Sequence, residues 1–440
     1  MLKFTRNINS HLAYKQIRVN IEQVWQQGFR WLGRVFYELC LIFGGTSSAG
    51  IFDRLAKLVL HIVIVHSGMP ARCVVQVLDD VCSASPAGSG RALKFYNCYQ
   101  EVCRKIGVKL APADDPDKAF GPSTSGIVLG VCYDTVDWVW FLREDKLSII
   151  LNMIEDIMEN EEVTQRYVKS MMGKLMNIRS LVPNGKYYLG NLIQDSHQTE
   201  DLEAMVTVSD WTRADLAWWK LVLPLCNKRT KLQDHDRRPR PRALQVYSDA
   251  AGGSMDTLGN GVGVAIFPGT WAYIPHRIKI NCGYPAYDGK SLANKLSVWE
   301  AVGPLMALVC APDRVRGKQV VAHVDNMGSV IWFKKGWAKQ CNLGNTVIRT
   351  TYLVATALRC ELWVEKVPRC SSMETEAADA LSKCDAERFS FYMPDQEPMP
   401  RKVPQTLIKW MADPKPDRDL GDRILEEMAE TTELLGYSSK

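Results

Sequence analysis

The stretch Leu244-Gln245-Val246-Tyr247-Ser248-Asp249 constrains what this chain can fold into more than any other. Apolar and polar residues alternate along it, the period of a strand with one buried face, and it ends in an acid followed by Ala250, Ala251, Gly252 and Gly253. A carboxylate at a strand end is a good perch for a metal. Three more acids follow in comparable settings: Glu300 inside a helical pattern, Asp325 after the apolar run Val320-Val321-Ala322-His323-Val324, and Asp379 in a short Ala-rich helix. Four carboxylates set on strand, helix, strand and helix can converge on two Mg2+ (or Mn2+) ions, whose preferred ligands are carboxylate oxygens and water. Such a pair activates a water on one side of a phosphodiester and steadies the leaving oxygen on the other. Any one of these acids says little alone, because the chain has 49 Asp and Glu and most acids are solvated surface.

Order and context give the four their weight. Three strand-like runs (Leu244–Asp249, Gly261–Phe267, Thr270–Ile280) precede the helix of Glu300; then come the Asp325 strand, a helix around Thr346–Arg359, a strand Glu361–Lys366 and the Asp379 helix. This order resembles the ribonuclease H domain of retroelements, with Ser248-Asp249, Trp299-Glu300, Val324-Asp325-Asn326 and Ala378-Asp379-Ala380-Leu381-Ser382 at its four motif positions. The resemblance implies an α/β fold, a mixed five-stranded sheet flanked by helices over 244–385. It implies catalytic and metal-binding roles for Asp249, Glu300, Asp325 and Asp379, with Asn326 beside the substrate. Leu292, Leu296, Trp299, Gly303 and Met306 form an apolar face that anchors the helix of Glu300, and Ser371-x-x-Glu374 reads as a capping box before Asp379. The loop histidine that many ribonucleases H carry near the last acid has no counterpart, since no histidine follows His323. Slow turnover is expected.

Upstream, Val74-Val75-Gln76-Val77-Leu78 runs into Asp79-Asp80 and out through Val81-Cys82-Ser83, a hairpin with two acids at its tip. Val77-Leu78-Asp79-Asp80 resembles the Y-x-D-D hairpin of reverse transcriptases. Leu41-Ile42-Phe43-Gly44 with Ile51-Phe52, Leu110–Phe120 with Lys118, and Val128-Leu129-Gly130-Val131 resemble further palm motifs. The likeness is to polyproteins of tyrosine-recombinase retrotransposons of the DIRS-like group. It implies polymerase metal ligands at Asp79 and Asp80, and substrate contacts at Tyr14, Phe43, Gly44 and Lys118. Asn9 stands where the family has its third catalytic aspartate, and the chain is read as a palm over 1–142 entered without its fingers. DNA polymerase activity is therefore expected to be lost.

Residues 143–195 read as a thumb-like helical pair, with Tyr167, Met171, Leu175, Ile178 and Val182 on one apolar face. A connection over 196–243 carries Trp211 and Trp218-Trp219, which read as packing anchors. It ends in a strip with Arg237, Arg238, Arg240 and Arg242, either a solvated linker or a phosphate-contacting strip. The tail, 386–440, is rich in proline and reads as an extended segment with one docking helix. At 440 residues, 46% hydrophobic and 23% charged, the chain is long enough for two or three domains, and its net charge of +5 permits a nucleic-acid partner. The 13 cysteines include no C-x-x-C pair, so they read as reduced intracellular thiols, cytoplasmic or nuclear; the longest apolar run near the N-terminus, Leu58–Val65, is interrupted by His61 and too short to cross a bilayer. Two readings stay open. One is an enzyme that cuts the RNA of RNA–DNA hybrids; the other is an inactive relic that binds hybrid or duplex nucleic acid. Oligomeric state is not legible.

Overall fold

The computed structural model describes residues 2–6, 13–110, 120–228, 230, 242–251, 261–274, 292–339, 341–369 and 371–431. The fold is α/β, and its contacts divide into two units, Met1–Ser148 with Leu225–Gln233 and Ile149–Pro224 with Asp234–Lys440. Among the described residues no helix is long and apolar enough to cross a membrane.

The first unit contains β1 (Leu2–Arg6), β2 (Gly28–Trp31), β3 (Arg34–Tyr37), α1 (Ser48–Ser67), β4 (Val74–Val77), β5 (Asp80–Pro86), α2 (Arg91–Ile106), β6 (Phe120–Ser123), β7 (Ser125–Val128), β8 (Val131–Asp134) and β9 (Val139–Phe141). Its main sheet has the order β4-β5-β1-β6. Along β5 every second residue is buried, and Val81 meets a core of Leu60 and Val63 from α1 and Phe95, Tyr99 and Cys103 from α2. The spacing of four between Phe95, Tyr99 and Cys103 puts all three on one face of α2. The expected acidic hairpin is present: Val77 pairs with Asp80, and Leu78 and Asp79 make the turn. Leu78 takes a left-handed φ of 53° there, a conformation costly for a residue with a branched side chain.

The second unit opens with most of α3 (Glu144–Glu159), then β10 (Glu162–Thr164), α4 (Gln165–Ile178), α5 (Gly190–Asp195), β11 (Met205–Thr207) and most of α6 (Asp210–Cys226). The apolar face of α4 is centred on Val168, Met171, Leu175 and Ile178, all buried. Tyr167, expected on that face, is only half-buried and donates its hydroxyl to Asp156 Oδ2 at 2.5 Å. The Arg213 guanidinium donates to the carbonyls of Ile157, Met158, Asn160 and Glu161, closing the C-terminal end of α3 with a cation where carbonyls lack helical partners. Trp219 is fully buried, donates Nε1–H to the Tyr188 carbonyl at 3.0 Å, and Trp218 stacks on the Tyr188 ring.

The mixed five-stranded sheet comprises β12 (Leu244–Ala250), β13 (Val262–Ile266), β14 (Thr270–Tyr273), β15 (Gln319–Val324) and β16 (Glu361–Lys366), in the order β14-β13-β12-β15-β16. β12, β13 and β14 pair antiparallel; β12, β15 and β16 run parallel. The helices α7 (Leu292–Cys310), α8 (Pro312–Val315), α9 (Met327–Lys335), α10 (Asn342–Ala357) and α11 (Met373–Ser382) complete it. The strand expected over 270–280 ends at Tyr273; its continuation after residue 274 lies outside the described residues. Two glycines let helices approach the central strands closely. A Cβ on Gly303 of α7 would stand 2.4 Å from Ser248 Cβ, and one on Gly263 of β13 would stand 2.4 Å from Leu381 Cβ of α11.

The tail departs from the expectation of one docking helix. Among its described residues it holds three: α12 (Ala386–Tyr392), α13 (Gln405–Ala412) and α14 (Leu420–Thr431). Its prolines fall between helices or, as Pro404, at a helix cap, so they punctuate the segment and do not keep it extended. Between α12 and α13 the backbone lies along β14, with Glu397 N–H donating to the Gly269 carbonyl at 2.7 Å and Arg401 N–H to the Trp271 carbonyl at 2.8 Å. Residues 432–440 lie outside the described residues.

Candidate metal centre

Three carboxylates meet at one end of the central strands. Ser248 on β12 pairs in parallel register with Val324, the last residue of β15, which sets Asp325 beside Asp249. Side chains alternate along a strand, so Ser248 and Asp249 face opposite sides of the sheet. Ser248 meets α7 at Gly303, and Asp249 accepts a hydrogen bond from Ser382 Oγ of α11 at 2.6 Å. Glu300 lies one turn before Gly303, so the close approach that Gly303 permits also brings its carboxylate to the strand end, where Oε1 accepts from Ala250 N–H at 3.4 Å. One carboxylate oxygen from each of Asp249, Glu300 and Asp325 lies within 4.8 Å of the others. Oxygens on opposite sides of a Mg2+ ion are about 4.2 Å apart, so the cluster is close to the dimensions an ion requires.

The electrostatics are those of a cluster short of positive charge. Glu300 is 1% exposed and Asp249 5%. Glu300 Oε2 is buried with no hydrogen-bond partner, an orphaned acceptor of the kind a cation satisfies. Burial first, then the neighbouring Asp249 and Asp325 charges, raises the Glu300 carboxyl well above the usual carboxylate range. Burial also raises Asp249, against the pull of its Ser382 hydrogen bond. Arg369 supplies cationic contact to two of the three acids, with Nε 3.0 Å from Asp325 Oδ2 and Nη2 3.9 Å from Asp249 Oδ1. Hard oxygen donors, an orphaned carboxylate oxygen and mutual repulsion fit a divalent cation.

Asp379 is arranged differently. It is buried on α11, close enough for its charge to raise Asp249, but it has its own counter-ions: Lys383 Nζ and Arg388 Nη1 donate to its Oδ2 at 2.8 and 2.7 Å. Burial pushes its carboxyl up, and the bonds from Lys383 and Arg388 outweigh burial and hold it below the ordinary value. The cap of α11 is also shifted from the expected Ser371 and Glu374. Ser372 accepts from Thr375 N–H and Thr375 Oγ1 accepts from Ser372 N–H, while Ser371 Oγ donates to the Pro368 carbonyl. Asn326 caps α9, its Oδ1 accepting from Ser329 N–H at 3.1 Å and from Ser297 Oγ at 3.0 Å. That ties α7 to the turn after Asp325.

In the first unit the structure brings Tyr14 and Phe43 together, ring centroids 4.9 Å apart, with Gly44 following at φ 86°. Asp79 and Asp80 sit half-buried at the tip of their hairpin. Asn9, Lys118, Arg237, Arg238 and Arg240 lie outside the described residues, whereas Arg242 is described and exposed. Sequence reasoning missed Arg369, Lys383 and Arg388. Lys383 had a local signal, four residues after Asp379 on one helix. Arg369 had none, because its contacts with Asp249 on β12 and Asp325 just after β15 exist only once the strands are paired.

No protein-family model matches the chain, and no curated protein matches it. Among solved structures it is similar to the foamy viral protease-reverse transcriptase dRH in complex with double-stranded DNA, at 14% identity and a TM-score of 0.40, over 83% of this chain and 56% of that one. The foamy viral protease-reverse transcriptase in complex with an RNA/DNA hybrid aligns at 15% identity and a TM-score of 0.42, over 83% of this chain and 44% of the other. In complex with double-stranded DNA it aligns at 14% identity and a TM-score of 0.39, over 83% and 67% respectively. The chain thus spans about half the length of the first two structures.

Proposed function

We propose that the sheet of β12 to β16 is a ribonuclease H-type nuclease that hydrolyses the RNA strand of RNA–DNA hybrids with divalent metal. The observation that carries this reading is the convergence of Asp249, Glu300 and Asp325 within 4.8 Å around the unpartnered Glu300 Oε2. Asp249, Glu300 and Asp325 would hold one ion, and Asp249 with Asp379, once Asp379 is released from Lys383 and Arg388, would hold a second. When bound, the ions supply an activated water and stabilise the leaving oxygen. The protein's part is positional. Ser382 fixes the Asp249 carboxylate, the Ala250 amide fixes Glu300 Oε1, and the Asn326 cap fixes the turn that carries Asp325.

The test is cleavage of a labelled RNA–DNA hybrid in Mg2+ or Mn2+, stopped by chelator. Asp249→Asn and Asp325→Asn each remove one ligand charge at nearly constant shape, and are expected to lower the rate by about a hundredfold or more, the scale of losing one preorganised electrostatic group. Cleavage by either variant at the parental rate would remove that acid from the assignment. A second reading, nucleic-acid binding without catalysis, draws on the basic residues already paired to the acids: Arg369 on Asp249 and Asp325, and Lys383 and Arg388 on Asp379. Hybrid binding with no metal-dependent cleavage would favour it. For the first unit we propose that primer extension is absent, because the motif resemblance aligns the neutral amide Asn9 with the family's third metal-binding aspartate, leaving Asp79 and Asp80 as the two carboxylates. Extension of a primer by the wild-type protein would refute this.

A further inference from the structure

We propose that Arg369 is a built-in counter-cation of the three-carboxylate cluster, seated against it in the metal-free protein and yielding its place to a divalent ion. The inference rests on the metal reading above and adds a residue to it. Three acids share a space 4.8 Å across, and like charges that close are mutually destabilising unless a cation lies among them. Asp379 has Lys383 and Arg388; Asp249 and Asp325 have Arg369.

The backbone holds Arg369 at this place from both sides. Val367 N–H extends the β15–β16 ladder to the Val324 carbonyl at 3.1 Å, and Ser371 Oγ returns to the Pro368 carbonyl at 2.7 Å. The segment after β16 is thereby turned across the end of β15, where Asp325 begins the next turn. The Arg369 side chain is nevertheless 61% exposed, against 7% for Asp249 and 18% for Asp325. A cation attached mainly from the solvent side can leave without unpacking anything. A single guanidinium charge also cannot balance three carboxylates, and Glu300 Oε2 is left without a partner even with Arg369 in place. A divalent ion that reached all three acids would neutralise them better, and it would be repelled by a guanidinium some 3 to 4 Å from the same oxygens.

The experiment is calorimetric titration of MgCl2 and MnCl2 into the full-length wild-type, Arg369→Ala and Arg369→Lys proteins, at low ionic strength and without nucleic acid. Arg369→Ala should bind the ion about tenfold more tightly, the scale set by one nearby charge partly screened by water. Arg369→Lys, which keeps the charge, should stay near the wild type and shows whether charge, and not bulk, is responsible. Equal or weaker binding by Arg369→Ala overturns this inference alone and leaves the metal site standing. Absence of binding by all three proteins overturns the metal reading and this inference together.

Discussion

Glu300 and Asp215 are both buried acids, yet they put opposite demands on their surroundings. Glu300 sits among like charges with one oxygen unpaired, so in chelator Glu300→Gln should raise the melting temperature, by roughly 2–4 °C for each kcal/mol relieved. In Mg2+ the order should reverse, since the amide cannot serve the ion. A variant that melts lower in chelator would show that Glu300 is already compensated. Asp215 on α6 instead pairs with Arg349 of α10 and accepts from Asn191 Nδ2 at 2.7 Å. Burial pushes its carboxyl from 3.8 up to about 6, with Arg349 and Asn191 pulling the other way. The folded protein then holds a proton between pH 4 and 6 that the unfolded chain has lost. The stability this confers is complete below about pH 4 and is lost as pH rises through 6. Relative to Asp215→Asn, the wild type should lose up to roughly 3 kcal/mol between pH 4 and 7, at about 1.4 kcal/mol per unit. Urea midpoints of the two proteins across that range check it; parallel curves would contradict it.

At the level of elements, the contact of α7 with β12 decides whether Glu300 reaches Asp249. Gly303→Ala places a methyl group 2.3 Å from Ser248 Oγ, so it should cost about 1–3 kcal/mol by overpacking and lower metal affinity along with stability. Gly173→Ala, in the middle of α4 with open space around its Cβ, is the contrasting case and should stabilise by about 0.5–1 kcal/mol. Chemical denaturation of both variants tests whether steric closeness or helix propensity governs each site. The elements of this sheet were legible because alternation in Leu244–Asp249 and the apolar runs before Asp325 and at Glu361–Lys366 are local signals that tertiary packing reinforced. The three acids were legible for the same reason, each standing at the end or on the face of a readable element. The α12 and α13 helices were not, because six prolines dominate the tail's composition and helices of seven and eight residues are too short for a repeat to stand out. The shift of the α11 cap by one residue was equally hidden: Ser371 and Ser372 are interchangeable in sequence, and only the turn back to Pro368 assigns one of them elsewhere.

Across the whole molecule, a ligand that binds one unit should stabilise that unit alone. The first unit has its own core around Val63, Val81 and Phe95, and the carboxylate cluster belongs to the second. Scanning calorimetry with and without Mg2+ should therefore move only the transition of the second unit, by about 2.7 kcal/mol at a hundredfold excess over the dissociation constant. A shift of both transitions would show that the units unfold together. The tail's path along β14 bears on how this protein can be handled. Thr270-Trp271-Ala272-Tyr273 is a largely apolar outer strand, and the carbonyls of Trp271 and of Gly269 just before it are taken by the Arg401 and Glu397 amides. A shortened protein ending at Asp385 would bare that edge together with Trp271, and an open edge of this kind invites the same strand of another molecule. Such a truncation should form aggregates at concentrations where the full-length chain stays dispersed, visible by light scattering, so that what looks like a disposable tail acts as a guard against self-association.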